Sequence, residues 1–173
     1  MKQRIVLQPI TKKDSVELLE LISENSKSFR NWIPHLELDT AQQVENFIKL
    51  NQYRENVAHN QIMRGIKLNN ELIGIIDLHN ISMYERSADV GYWLADGFVG
   101  KGYITEALQK LHHYAFVNLE LNKVHALIKR SNIKSRAVVE RNNYQKVNSI
   151  KGLCNVEYIE YILMRNDWLK TKD

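Results

Sequence analysis

Three of the chain's seven glycines fall within six positions, at Gly97, Gly100 and Gly102 of GFVGKGYITEA, directly before an apolar helical pattern. Glycine lets a main chain turn sharply and approach another group closely, so a cluster ahead of a helix predicts a site made of backbone N–H groups. The free donors of a first helical turn, with the helix dipole, favour an anion there. Two common phosphate loops do not fit. Gly97 and Gly102 have the spacing of the P-loop, but Tyr103 and Ile104 stand where Lys and Ser or Thr are required. Gly100-Lys101-Gly102 opens a dinucleotide fingerprint that then fails at Thr105.

The other reactive side chains are dispersed. Cys154 is the single cysteine and has no thiol to pair with, and the six histidines contain no H-E-x-x-H arrangement. His112 and His113 are adjacent and point to different sides of a helix, so no metal is expected. The net charge of +4 is spread along the chain and gives no basic stripe for direct nucleic-acid contact. With 173 residues, 44% apolar and 25% charged, a single domain over 1–173 is expected. The apolar run near Leu72 to Leu78 is too short for a membrane span and MKQRIVLQPI lacks a signal-peptide core, which predicts a cytoplasmic protein without membrane contact.

The elements that must position the glycine turn are legible from periodicity. QRIVLQPI reads as a short strand ended by Pro9, and TKKDSVELLELISENS as an amphipathic helix carrying Val16, Leu18, Leu19 and Ile22. FRNWIPHLELDT breaks the pattern and reads as a loop, and DTAQQVENFIKLNQYREN as a second helix capped by Asp39 or Thr40. QIMRGIKL and ELIGIIDLHN flank Asn69-Asn70, a hairpin turn, and SADVGYWLAD is a third strand with Gly91 able to mark a bulge. After the glycine turn, Ile104, Ala107, Leu108, Leu111 and Ala115 share a helix face as far as about Leu119. Then follow a strand at KVHALIKR, a helix capped by Ser131 or Asn132, and strands at YQKVNSI and EYIEYILMR. The order is α+β, with antiparallel strands before one strand-helix-strand crossover, unlike a Rossmann fold or barrel.

A third anion loop, written [QR]-x-x-G-x-[GA], holds acetyl-coenzyme A between a bulged strand and a helix, and GYWLADGFVGKGYITEAL resembles it closely. With N-x-x-S-x-x-V-x-E at Asn132, Ser135, Val138 and Glu140, the chain resembles the RimL-type branch of the GNAT N-acetyltransferases from its first strand to YILMRNDW. The resemblance implies the GNAT fold: a central mixed, mostly antiparallel twisted sheet with a splayed strand pair and helices on both faces. It implies acetyl-CoA as co-substrate and direct attack by an amine in a ternary complex. The acceptor would be a protein N-terminus, as in a ribosomal protein, or a small molecule such as a polyamine or antibiotic. A homodimer is a further implication, and a non-catalytic acyl-CoA-binding module is the alternative reading.

By the same resemblance, Val99, Gly100, Lys101, Gly102, Tyr103 and Ile104 surround the diphosphate. Trp93 and Leu94 offer main-chain groups to the pantetheine, Asn132 contacts it, and Ser135 lies near the sulfur. The family's acid precedes the last strand; GLCNVEYIEY is shortened there, leaving Glu157 as the nearest base. Asp89 and His79 are rivals on central strands at the substrate, and Trp32 with Pro34 occupies the acceptor loop. Two positions depart from the pattern. Gly97 replaces Gln or Arg, and Asn143-Tyr144 replaces Gly-Phe.

Overall fold

The computed structural model describes residues 4–32, 38–152 and 155–171, and nearly every strand and helix read from the sequence is present. The strands are β1 (Ile5–Pro9), β2 (Ile62–Leu68), β3 (Glu71–Ser82), β4 (Ser87–Leu94), β5 (Lys123–Lys129), β6 (Gln145–Lys151) and β7 (Glu157–Met164). They form one seven-stranded sheet in the order β1-β2-β3-β4-β5-β7-β6. β1 with β2, β5 with β7 and β6 with β7 run antiparallel, while β4 and β5 are parallel, as a helical crossover requires. The helices are α1 (Ser15–Glu24), α2 (Ser26–Trp32), α3 (Ala41–Asn56), α4 (Tyr103–His113), α5 (Ile133–Arg141) and α6 (Arg165–Leu169). By internal contacts the chain divides into two compact units, Met1–Asp77 with Tyr92–Ala107, and Leu78–Gly91 with Leu108–Asp173.

In the first unit, Leu18 and Ile22 of α1, Phe29 of α2, Val44 and Ile48 of α3, Met63 of β2, Leu72 of β3 and Trp93 of β4 share one buried cluster. The β2–β3 hairpin turns at Asn69 (φ 51°) and Asn70 (φ 71°), the paired left-handed geometry that the dipeptide predicts. Every residue from Leu72 to Ile76 is buried, so β3 is covered on both faces there. Thr40 settles the cap of α3: its hydroxyl accepts the Gln43 N–H (3.3 Å), while the Gln43 side chain accepts the Thr40 N–H (3.0 Å). Two expectations are corrected. Phe29 to Trp32 are helical, not loop, because burying the Phe29 ring organises a turn too short to show periodicity. Val16 lies outside the buried face of α1 and is exposed.

Asp14 and Lys67 form the most enclosed ion pair of this unit, with Nζ 2.7 Å from the carboxylate. Burial pushes the Asp14 carboxyl up, but hydrogen bonds from Lys67 and Thr11 outweigh it and hold the group below its ordinary range. The same bond, ahead of burial, raises the Lys67 ammonium.

In the second unit, Leu108, Leu111, Ala115 and Phe116 are buried, confirming the apolar face read for this helix. The helix closes in a widened π turn over Tyr114–Asn118, one residue short of the predicted end. His112 and His113 do face different ways: His112 is buried, and His113 is exposed beside Trp168. The Asn143-Tyr144 departure has a structural cause here. Asn143 takes φ 65°, as asparagine tolerates, and the buried Tyr144 hydroxyl lies 2.8 Å from His112 Nε2. On β7, Ile159, Tyr161 and Leu163 point into the core. The Tyr161 hydroxyl donates to Glu140 (2.7 Å) and accepts from Arg136 Nε (3.1 Å), which gives Glu140 of the N-x-x-S-x-x-V-x-E pattern a structural partner.

Candidate active site: an amide cradle and a polar sheet face

The glycine turn leaves β4 through a single 3₁₀ turn, Asp96–Phe98, fixed by the Asn25 side chain accepting the Asp96 N–H (2.9 Å). Phe98 and Val99 donate back to Ala95 and Asp96, and the next main-chain bond is from Glu106 N–H to the Gly102 carbonyl (3.1 Å). Between them, the N–H groups of Gly100 to Thr105 donate to no group among the described residues. Gly100 (φ 82°) and Gly102 (φ 85°) both take the left-handed conformation that side chains resist, and no atom lies within 4 Å of where a Cβ on Gly100 would stand. The turn is therefore a run of amides without hydrogen-bond partners among the described residues at a helix start, a place where an anion is favoured. Lys101, with its Nζ 5.4 Å from the Phe98 ring centre, adds a positive charge at the rim. Exposed Val99 and half-buried Tyr103 flank the run, and Ile104 anchors it in the core. Gly97 differs: its φ is not left-handed and the space around it is open, so nothing steric requires glycine there.

On the adjoining end of β4, the Trp93 and Leu94 side chains are buried, the Trp93 ring standing edge-on to Phe29 at 5.0 Å. Only their main-chain groups are left to meet a ligand. The buried phase also changes along β4, from Ala88 and Val90 to Trp93 with Leu94 and Ala95. Gly74 on β3, which the sequence reading did not single out, is forced by this packing: a Cβ there would stand 2.3 Å from the Trp93 carbonyl oxygen.

The remaining predicted residues belong to the second unit. The parallel ladder of β4 and β5 covers Ser87–Asp89 against Lys123–His125; beyond it both strands continue, through Val90 and Gly91 and through Ala126 to Lys129, without further pairing between them. This is the expected splayed pair. Asn132 caps α5, its Oδ1 accepting the Ser135 N–H (3.1 Å), which leaves the amide nitrogen to meet a ligand; Ser135 is half-buried in the first turn. Glu157 opens β7 and is ion-paired with Arg130 (3.0 Å), both side chains substantially exposed. Asp89 accepts from Asn80 Nδ2 (2.8 Å), and His79 lies half-buried on β3. Trp32 ends α2 with its side chain outside the described residues, as are Pro34 and Cys154. Thus the structure groups Trp93, Leu94 and Val99 to Ile104 in one unit, and His79, Asp89, Asn132, Ser135 and Glu157 in the other. Among the described residues no cluster of three His, Cys, Asp or Glu is arranged for a metal, and no helix is long and apolar enough to cross a membrane.

One constellation escaped the sequence reading. His125 Nδ1 lies 3.1 Å from Glu160 Oε1, and Asn148 Nδ2 donates to Glu160 Oε2 at 3.1 Å. The Asn148 bond first, then His125, hold the Glu160 carboxyl below its ordinary range against partial burial. Alternation in EYIEYILM already set Glu160 opposite the core residues; its partners lie 35 and 12 residues away and carried no local signal.

A family model described as an acetyltransferase (GNAT) domain matches residues 4–145. YdaF of Bacillus subtilis (strain 168), whose name places it provisionally among ribosomal N-acetyltransferases, is 32% identical over 174 residues, 97% of this chain and 95% of YdaF. The ribosomal-protein-serine acetyltransferase of Escherichia coli (strain K12) is 29% identical over 150 residues, covering 83% of this chain and 80% of that protein. A crystal structure of an acetyltransferase superposes with a TM-score of 0.86 at 32% identity, covering 95% of each chain.

Proposed function

The chain belongs to the GNAT acetyltransferase family, and from that membership we propose that its acceptor is the α-amino group of a protein N-terminus, acetylated by direct attack in a ternary complex. N-acetyl transfer from acetyl-CoA is the activity of the family. The thioester supplies an activated acyl carbon; the chain supplies position and charge.

The observation that carries this reading is the run of six amides, Gly100 to Thr105, that have no partner among the described residues at the start of α4. A diphosphate requires several donors converging from one side with no side chains in the way; Gly100 has open space where a Cβ would stand, and Gly102 adds a second residue at positive φ without a side chain. In this reading Trp93 and Leu94 of the first unit offer main-chain groups to the pantetheine arm; in the second unit Asn132 offers its amide nitrogen, and the acyl group lies where β4 and β5 cease to pair beyond Asp89 and His125. Ser135 places a hydroxyl for the departing sulfur. The Glu157 carboxylate is engaged by Arg130 at 3.0 Å, which leaves the base to another group. The N-terminal acceptor is supported by the two relatives named for ribosomal proteins.

Titration calorimetry with acetyl-CoA tests the cradle, and a thiol-release assay over peptides with free or blocked N-termini and over polyamines tests the acceptor. Turnover of free-N-terminus peptides, abolished by blocking, is the expected result. Turnover of polyamines alone would overturn the acceptor, and absence of acetyl-CoA binding would overturn the site.

A further inference from the structure

Asp89 and His125 are the last paired residues of β4 and β5 before the two strands part. Val124, Ala126 and Ile128 of β5 are buried, so His125 lies on the other face of the sheet, the face that also carries Glu160 of β7. We propose that His125 takes the proton of the acceptor amine at the mouth of this opening, with Glu160 and Asn148 as its positioning residues. The proposal deepens the acetyltransferase reading and rests on its placing of the acyl group in the opening.

The hydrogen-bond pattern fixes how the imidazole is presented. A charged carboxylate only accepts, so the 3.1 Å contact to Glu160 places the proton on Nδ1 and the lone pair on Nε2. Asn148 occupies the second carboxylate oxygen and keeps Glu160 in its charged, accepting form. Nε2 has no hydrogen-bond partner among the described residues, and the side chain is 20% exposed, so an incoming amine can reach it. An imidazole held by a carboxylate through one nitrogen and free at the other is the arrangement of a general base. Glu157 is bound to Arg130 and Asp89 to Asn80, so neither offers a comparable free position.

As the amine nitrogen bonds to the acyl carbon, its proton passes to Nε2. The C–S bond breaks, the thiolate takes a proton from solvent while the Ser135 hydroxyl donates a hydrogen bond to it, and the imidazolium releases its proton to solvent, giving amide, free thiol and neutral imidazole. The charged groups facing the imidazole are Asp89 from β4, Lys123 from β5 and Glu160 from β7.

Steady-state thiol release against pH, with acetyl-CoA affinity measured separately, tests the assignment. H125Q is expected to lower kcat by about 10² to 10⁴, to remove the acidic limb of the pH profile and to leave acetyl-CoA affinity unchanged. E160Q is expected to lower kcat while leaving acetyl-CoA affinity unchanged, since the carboxylate that holds Nδ1 as the donor is replaced by a neutral amide; this variant decides the matter if H125Q does not fold. Wild-type turnover by H125Q, an acidic limb that persists in H125Q, a wild-type kcat in E160Q, or loss of the acidic limb in E157Q or D89N would overturn the proposal. A wild-type chain that fails to bind acetyl-CoA would instead overturn the reading beneath it.

Discussion

At the glycine turn the polar groups are main chain: the N–H groups of Gly100 to Thr105 have no partner among the described residues, and glycines at φ 82° and 85° put no side chain there. On the face of β5 and β7, charge is held by side chains alone, through Asn148 to Glu160 to His125 at 3.1 Å each. The first arrangement tolerates any residue that keeps the backbone conformation and fails when φ changes or a side chain enters. The second fails with loss of a single polar atom, even by an isosteric swap. A main-chain site therefore leaves its mark in the sequence as glycines, and a side-chain site on several strands leaves almost none.

The largest expected effect comes from breaking the first arrangement. Gly100→Val places a β-branched residue at positive φ, a conformation costing about 1–2 kcal/mol, and sets its methyl groups in the ligand's approach. Acetyl-CoA affinity measured by calorimetry is expected to fall roughly tenfold to a hundredfold, more than for Gly100→Ala, because both the φ penalty and the obstruction are larger. An unchanged Kd would show that these amides do not meet the carrier.

The next effect tests the side-chain principle on a neighbouring buried link. Tyr161→Phe removes a hydroxyl that donates to Glu140 and accepts from Arg136 while keeping the packed ring. Burial, the largest influence on this phenol, keeps it protonated above its ordinary range, so it remains a donor at neutral pH. A loss of about 1 kcal/mol is expected, read as a fall in Tm of roughly 2–4 °C. No change in Tm would mean that solvent replaces both bonds.

These two regions also mark how far the sequence carries. Local signals worked wherever the cause was local: Asn69-Asn70 turned the hairpin, the apolar face from Ile104 to Ala115 is buried, and Gly100 and Gly102, though not Gly97, took positive φ. They failed for α2, a seven-residue helix organised by one buried ring at Phe29, and for α6, five residues held by Trp168. The His125–Glu160 pair was hidden for a different reason. It depends on β7 lying between β5 and β6, so that sequence neighbours β5 and β6 are not sheet neighbours, and no periodicity within a strand reports that order.

A smaller effect sharpens the comparison through acid titration. The Glu160 carboxyl is held below its ordinary range, first by Asn148. Such a group stabilises the fold at pH above the ordinary carboxylate range, and that contribution is lost as pH falls through its lowered folded value. Asn148→Ala should therefore cost less than about 1 kcal/mol near neutrality, with the difference from wild type closing as pH falls to about 3. Urea unfolding at a series of pH values checks it. A difference that persists unchanged in acid would assign the loss to packing on β6 instead of to the charge on Glu160.

The smallest expected change lies at Gly97, within the main-chain region, where the two principles can be made to meet. Neither sterics nor φ requires glycine there, and the position is exposed, so Gly97→Arg should alter stability by less than about 0.5 kcal/mol. It also restores a side-chain donor at the first position of the loop pattern, adding a charge-assisted contact to a ligand otherwise held by amides. Acetyl-CoA affinity is expected to rise by up to about tenfold, with a steeper dependence on salt, as an added ion pair demands. If affinity falls instead, the space beside Gly97 is part of the carrier's path. The cradle would then extend three residues upstream of Gly100, toward the strand that leads into it.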